Sequence, residues 1–225
     1  MTALFGYGSL ILPTSLVSRF EDLPTDIGAV YDGTTTGRIR PSAMDAWRRL
    51  EDRITYLPAK LYGFRRYYSL ESPRGGTMLE IVPADDDEWI NGVAICGLSD
   101  PERDAVADTE DGYERRVFES PPLEWYVDPE TTGVDAPSTL EVFVSQRRPD
   151  DIETAQRRNE TYHERILLGI ELLGETYGAD VAAAFYRDFC ATTYETAVDA
   201  DDPTMFNTVA ENDRKLGESP WRTRQ

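Results

Sequence analysis

The sequence predicts an α+β fold in which one mixed β domain carries helices packed around it. Apolar residues come in short strand-like runs through the first two thirds of the 225-residue chain and at helical spacing in the last third. Neither an internal repeat nor a linker that would separate two domains is visible. We therefore predict a single domain over residues 1–225, with a peripheral polar tail at about 194–225.

The strands follow from short apolar and β-branched runs that end in Gly, Pro, Asp or Ser turns. The Pro- and Gly-rich stretch 121–138 separates the last two of them. Strands are predicted at 2–7, 57–69, 77–83, 89–98, 113–119 and 139–145.

The helices follow from start signals and from apolar residues spaced by three and four. Pro13 lies near the start of a short helix, and Asp100-Pro101 forms a cap followed by proline at the first helical position. A loop at 32–38 separates the first two helices. Helices are predicted at 13–21, 42–52, 100–110, 152–177 and 179–192.

The charge balance is strongly acidic. Asp and Glu number 42 against 23 Lys and Arg, which gives a net charge of −19, and the only lysines are Lys60 and Lys215. At about 1 M salt the Debye length falls to about 3 Å, so such carboxylates stop repelling one another. Because the acids are spread along the whole chain, a protein from a salt-rich cell is favoured over an acidic interaction module. Nucleic acid is not expected as a partner, since binding phosphates requires clustered cations.

The sequence shows no signal for secretion or for insertion into a membrane. The first residues lack a basic region and a full apolar region of a signal peptide, and no window is apolar enough for a membrane span. We expect a cytoplasmic protein without membrane contact, either monomer or homodimer. Cys96 and Cys190 are far apart and are expected to be apolar core residues.

A glycine-containing loop follows the first predicted strand, in the sequence Phe5-Gly-Tyr-Gly-Ser-Leu-Ile11. It lacks the third glycine of a dinucleotide fingerprint and the glycine spacing of a nucleophile elbow. His163, the only histidine, is expected to point to solvent, so we expect neither a Ser–His pair nor a zinc site. No metal or other cofactor is predicted.

Two structural roles remain open for this loop. Successive backbone N–H groups in a glycine-containing turn can converge on a carboxylate or an oxyanion. The alternative is a tight turn that needs a positive φ angle at a glycine. Spacing alone does not decide between them.

Glu110 is the acidic side chain that fits poorly with a purely solvated role. It lies four residues after Val106 and so shares the apolar face of the helix predicted at 100–110. Gly112 is read as the stop signal of that helix, which places Glu110 in its last turn. A helix C-terminus and partial burial both disfavour a negative charge, as suits a general base. A frayed, exposed helix end is the alternative.

Four segments, in order, resemble the γ-glutamylcyclotransferase-like superfamily, especially its ChaC-like branch. "ALFGYGSLI" (3–11) is similar to the signature loop of this superfamily. "AKLYGFRRYYS" (59–69) is similar to its strand with the pattern Ala-x-Leu-x-Gly-aromatic-Arg-Arg. "VADTEDGYERR" (106–116) places Glu110 at the catalytic glutamate, although Val106-Ala107 replaces the usual Leu-Asp. "YHERILLGIELLG" (162–174) reproduces a Tyr, Gly, Gly spacing with Tyr162 first. Together with the charge, this indicates an acidic member of haloarchaeal type.

The resemblance implies a small mixed β-barrel surrounded by helices and a reaction at the loop. A γ-glutamyl amide, such as a γ-glutamyl amino acid, γ-glutamylcysteine or glutathione, is cleaved to 5-oxoproline and a free amine or amino acid by attack of its own α-amine. In this scheme Glu110 is the general base, and the reaction needs no cofactor. The expected substrate-binding residues are Gly6, Tyr7, Gly8, Ser9, Leu10, Ile11 and Tyr162. For Tyr162, a core aromatic is the alternative.

Two alternatives to this reaction remain. The first is a non-catalytic member of the same fold that binds or senses a small molecule, against which the intact Glu110 argues. The second is an enzyme acting on a different γ-glutamyl amine. The leaving group contacts variable loops, so the sequence does not identify it; γ-glutamylcysteine is the first expectation over glutathione.

Overall fold

The computed structural model describes residues 1–20, 48, 50–73, 75–110, 112–153, 156–198 and 205–217. The predicted loop at 32–38, most of the predicted helix at 42–52 and the end of the predicted tail from 218 onward lie outside these residues. No helix in the described ranges is long and apolar enough to cross a membrane.

Ten strands form within the described ranges. In chain order they are β1 (Thr2–Gly6), β2 (Thr55–Tyr62), β3 (Phe64–Glu71), β4 (Thr77–Pro83), β5 (Trp89–Cys96), β6 (Tyr113–Glu119), β7 (Leu123–Trp125), β8 (Thr139–Ser145), β9 (Thr193–Thr196) and β10 (Phe206–Thr208).

Six α-helices accompany these strands in the described part of the chain. They are α1 (Pro13–Val17), α2 (Asp100–Ala107), α3 (Pro129–Thr132), α4 (Glu160–Tyr177), α5 (Ala179–Thr192) and α6 (Val209–Leu216). Short 3₁₀ helices lie at Ser9–Ile11 and Pro149–Asp151.

The strands pair into two mixed sheets. The six-stranded sheet has the order β6-β8-β1-β5-β2-β7, with β1 parallel to β8 and antiparallel to β5. The four-stranded sheet has the order β10-β9-β3-β4, with β3 parallel to β9. The α+β class is therefore confirmed. The pairings of the described strands leave both sheets open, so the barrel stays a prediction.

A large apolar cluster joins the sheets and the helices. It includes side chains from both sheets, such as Phe5 and Tyr68, and from α4 and α5, such as Ile170 and Phe185. Cys96 and Cys190 are buried without a disulfide, as predicted.

Several element boundaries differ from the prediction for local reasons. The predicted strand at 57–69 is split by Gly63, whose φ of +85° turns the chain from β2 into β3. The predicted helix at 152–177 begins only at Glu160, because the Asn159 side chain accepts the Tyr162 N–H and caps it there. The stretch 121–138 contains β7 and α3.

The prediction of a peripheral polar tail is wrong for residues 194–198 and 205–217, the part of it that the structure describes. Residues from Thr193 onward supply β9, β10 and α6, and Val209 at the start of α6 is fully buried. This segment has few apolar residues, so its own sequence gives little sign of strands. It is ordered because β9 pairs with β3, which lies far away in the chain.

Candidate active site

The loop after β1 turns back on itself in the 3₁₀ helix Ser9–Ile11, where the Ile11 N–H donates to the Gly8 carbonyl at 3.0 Å. Gly8 has a φ of −128°, so it does not adopt a positive φ angle. Both positions require glycine because there is no room for a side chain. A Cβ atom on Gly6 would lie 2.8 Å from the Leu10 Cβ, and one on Gly8 would overlap the Tyr162 hydroxyl. The tight-turn explanation is therefore wrong for these glycines.

Two long-range contacts hold the backbone of this loop in place. The Tyr7 hydroxyl donates to the Phe143 carbonyl at 2.8 Å, and the Arg66 Nη1 donates to the Tyr7 carbonyl at 3.3 Å. Arg66 is fully buried, and burial lowers the pKa of its guanidinium to about 10, so it stays charged at neutral pH. The loop is thus tied to both sheets before any ligand binds.

The prediction that Glu110 lies in the last turn of α2 is wrong, because this residue lies in the turn that follows the helix. The helix ends at Ala107, and the chain continues in a tighter turn in which the Thr109 N–H and hydroxyl both donate to the Val106 carbonyl, at 3.0 and 2.7 Å. The Glu110 N–H still donates to the Ala107 carbonyl at 3.1 Å. Gly112, with a φ of +86°, then redirects the chain into β6.

The Glu110 carboxylate forms an ion pair with the Arg19 guanidinium. The side chains of Arg19 and Glu110 are only 17% and 15% exposed. The same Arg19 nitrogen donates to the Thr109 hydroxyl at 2.6 Å, so the guanidinium contacts two successive residues after α2. Arg19 itself lies in the turn that follows α1, two residues beyond its end.

Tyr162 approaches the loop from the first turn of α4. Its hydroxyl accepts the Ser9 N–H at 3.3 Å, joining residues 153 positions apart. Burial and the nearby Glu110 charge raise the pKa of Tyr162 to about 12. The phenol therefore keeps its proton at neutral pH and has a donor to offer to a bound molecule.

These groups surround one cavity of about 510 Å³. Six of the eight predicted site residues contribute to its lining, which places two loop segments and one helix around the same space. They are Tyr7, Gly8, Ser9, Leu10, Glu110 and Tyr162.

Gly6 and Ile11, also predicted as site residues, lie behind this lining. Gly6 is paired with Val93 in the β1–β5 ladder. Ile11 packs against α4, where a Cβ atom on Gly169 would lie 2.8 Å from the Ile11 carbonyl carbon and oxygen. Both residues therefore support the loop from outside the cavity.

Sequence reasoning missed six polar residues of the cavity wall: Ser15, Ser18, Arg19, Thr109, Tyr113 and Arg165. Tyr113 donates its hydroxyl proton to the Leu79 carbonyl at 3.0 Å and so links β6 to β4. Arg19 carried one usable signal, because it is the first basic residue of a very acidic chain and follows closely on the glycine loop.

His163 is buried, contrary to the predicted solvent exposure. It is 5% exposed, and its Nδ1 shares a hydrogen bond of 2.7 Å with the Tyr68 hydroxyl. The buried face of α4 is wider than the apolar stripe predicted from the sequence, because the His163 ring on α4 also packs against Phe189 of α5. Burial and the nearby Arg158 charge lower the pKa of His163 to about 3.

His163 is not among the residues that line the cavity. In the described ranges no three His, Cys, Asp or Glu side chains come close enough together to form a metal site. The polar groups available to a bound molecule are therefore hydroxyls, backbone N–H groups, guanidiniums and one carboxylate.

Comparison with known proteins identifies three similar chains among the solved structures. No protein-family model matches the sequence, and no curated protein matches it. The chain is similar to the crystal structure of a yeast γ-glutamyl cyclotransferase specific to glutathione, with 13% identity, a TM-score of 0.37 and coverage of 84% of this chain and 97% of that chain. A TM-score of 0.37 does not establish a common fold, so we base the functional proposal on the sequence motifs and the cavity.

Proposed function

We propose that the protein cleaves γ-glutamyl amides to 5-oxoproline and a free amine or amino acid. The observation that carries this proposal is the convergence of the Glu110 carboxylate, the Tyr7–Leu10 loop and the Tyr162 hydroxyl on one cavity of about 510 Å³. Such a volume suits a small-molecule ligand. We also propose that the chain has the superfamily relationship and the β-barrel that its four sequence motifs imply.

The proposed reaction moves two protons from the attacking nitrogen to the leaving nitrogen. The Glu110 carboxylate takes one proton from the α-ammonium, and the free amine attacks the γ-carbonyl carbon to give a tetrahedral oxyanion. The protonated Glu110 then delivers that proton to the leaving nitrogen as its bond to carbon breaks. The ring nitrogen loses its extra proton through the same carboxylate, and the leaving group departs as an ammonium.

The substrate itself supplies the nucleophile, so the protein's task is to orient it. Bringing the amine and the carbonyl together in a well-aligned intramolecular attack lowers the barrier by several kcal/mol. The loop is held by the Tyr7 and Arg66 hydrogen bonds before binding, so it needs little reorganisation. Its Ser9 N–H and the Tyr162 hydroxyl, now bonded to each other, are the donors we assign to the developing oxyanion.

The decisive test is Glu110→Gln, which keeps the shape of the side chain and removes the proton acceptor. We expect kcat for 5-oxoproline release to fall by about 10²–10⁴-fold, the usual contribution of a positioned acid–base group. Binding should change less than kcat. A screen of γ-glutamyl compounds in high salt, with γ-glutamylcysteine and glutathione included, supplies the substrate for the assay.

Glu114→Gln is the matched control. Glu114 is exposed on β6, where it pairs with Arg116, and it is not among the residues that line the cavity. The same change of charge there should leave kcat within about twofold, because surface substitutions away from a site have small effects. A folded Glu110→Gln protein that is as active as Glu114→Gln would overturn the proposed mechanism.

A binding or regulatory role is the second candidate, and the Arg19–Glu110 ion pair favours it. The carboxylate that should receive a proton is already engaged by a guanidinium. A protein that binds a γ-glutamyl compound tightly and releases no 5-oxoproline from any member of the screen would have this role.

A further inference from the structure

The charged side chains around the cavity form an uneven set. In the described part of the chain its lining contains one carboxylate, Glu110, and two guanidiniums, Arg19 and Arg165. In a protein with 42 acidic and 23 basic residues, two guanidiniums against one carboxylate at one cavity favour an anionic ligand group there. Of the two, Arg19 contacts Glu110 directly.

The geometry of an α-amino acid matches this ion pair. In the proposed reaction the α-ammonium of the γ-glutamyl group must lie against Glu110. Its α-carboxylate is bonded to the same carbon atom, so it reaches the immediate neighbourhood of Glu110 as well. The cation in that neighbourhood is Arg19, whose guanidinium contacts both Glu110 and the Thr109 hydroxyl.

We propose that Arg19 binds the α-carboxylate of the γ-glutamyl group and is the residue that selects for it. This inference rests on the proposed function. In the free protein Arg19 pairs with Glu110; in the complex Glu110 pairs with the α-ammonium and Arg19 with the α-carboxylate. One ion pair is exchanged for two, and no buried charge is left alone.

The guanidinium is suited to this exchange. It carries five N–H donors in a planar fork, so it can keep its hydrogen bond to Thr109 while two donors take a carboxylate. Lysine, with a single point charge, does not offer that geometry. With the α-carboxylate held by Arg19, the Ser9 N–H and the Tyr162 hydroxyl are not needed for that group and can exchange their mutual hydrogen bond for the oxyanion.

A ligand without the α-carboxylate is at a disadvantage for the same reason. Its ammonium would compete with Arg19 for Glu110 and offer Arg19 nothing in return. Since both side chains are more than four-fifths buried, an unpaired charge there is costly. The cavity should therefore reject such a ligand more strongly than the loss of one surface contact would imply.

The test compares γ-glutamylalanine with 4-aminobutyrylalanine, which differ only in the α-carboxylate and release the same product, alanine. Alanine release gives kcat/KM for each compound, and calorimetry gives the affinity for each. Charge-assisted hydrogen bonds contribute about 1.5–3 kcal/mol, or about 10- to 100-fold, so wild-type protein should favour γ-glutamylalanine by at least that factor.

Arg19→Met should reduce this preference to less than about threefold, mainly by weakening binding of γ-glutamylalanine. Arg165→Met removes a guanidinium from the same cavity wall while Arg19 and Glu110 both stay in place, and should keep most of the preference. Arg19→Lys keeps the charge but not the fork, and should give an intermediate value. It also covers the case in which Arg19→Met does not fold.

The outcomes separate the inference from the proposed function. An equal preference in Arg19→Met and wild-type protein, or an equal loss in Arg19→Met and Arg165→Met, would overturn the role of Arg19 alone. Binding that keeps the Arg19-dependent preference without any alanine release would overturn the proposed reaction alone. If wild-type protein binds neither these two compounds nor any γ-glutamyl compound of the screen, both are wrong.

Discussion

The hydroxyl of Tyr162 occupies the space that a side chain at Gly8 would need. A Cβ atom built on Gly8 overlaps this oxygen, while the next nearest atom, the Tyr162 Cζ, is at an ordinary 3.6 Å. The same hydroxyl accepts the Ser9 N–H at 3.3 Å. The residue type at position 8 is therefore set by a helix that begins about 150 residues later.

Gly8→Ala should displace the Tyr162 hydroxyl and break its hydrogen bond to Ser9. Overpacking of this kind costs about 1–3 kcal/mol, and we expect the free energy of unfolding to fall by that amount. Affinity for a γ-glutamyl ligand should fall as well, because both proposed oxyanion donors move. Denaturant unfolding and calorimetry measure the two effects.

The double variant Gly8→Ala/Tyr162→Phe tests whether this single contact is responsible. Removing the hydroxyl frees the space, so the double variant should be more stable than the sum of the two single changes implies. Contacting residues show interaction energies of about 0.5–3 kcal/mol in such cycles. Simple additivity would show that Gly8 is needed for another reason.

Much of the candidate site could be predicted because its residues belong to short motifs. Gly8, Glu110 and Tyr162 each stand in a segment that resembles a motif of the γ-glutamylcyclotransferase-like superfamily. Arg19 does not: its pairing with Glu110 joins residues 91 positions apart and depends on how α1 is placed against the turn after α2. No local pattern encodes that placement.

The same distinction explains the errors in the fold. Apolar runs predicted most strands, but the segment from Thr193 onward is too polar for such a signal. Its strand β9 forms by pairing with β3, and β10 forms by pairing with β9. His163 stands just outside the apolar stripe of α4, and its burial follows from the packing of Tyr68 and Phe189 around it. Tertiary contacts therefore decided what periodicity left open.

Salt should stabilise this protein. With a net charge of −19 the folded chain repels itself at low ionic strength, and molar salt shortens the Debye length to about 3 Å. We expect the melting temperature to rise steadily from low to multi-molar KCl. The rise should shrink at a pH near 4.5, where many carboxylates are protonated. A melting temperature that does not depend on salt at neutral pH would contradict adaptation to a salt-rich cell.

His163 should make the protein less stable as the pH falls below 6.5. Its pKa is about 3 in the folded state and about 6.5 when unfolded, so the unfolded chain binds the proton first. Stability is therefore complete above pH 6.5 and is lost as the pH falls toward 3. Between pH 6.5 and pH 5 the linkage relation gives a loss of about 1.5 kcal/mol from this one group.

His163→Asn isolates that contribution, because asparagine can keep a hydrogen bond to Tyr68 and does not titrate. Its unfolding free energy is expected to be lower than that of the wild type at pH 7.5, with the gap narrowing by about 1.5 kcal/mol between pH 6.5 and pH 5. Denaturant unfolding in molar KCl, which screens the other charges, measures both curves. His163 is the only histidine of the chain, so no other side chain of its type titrates in this window. Parallel curves would mean that His163 accepts its proton as readily in the folded protein as in the unfolded one.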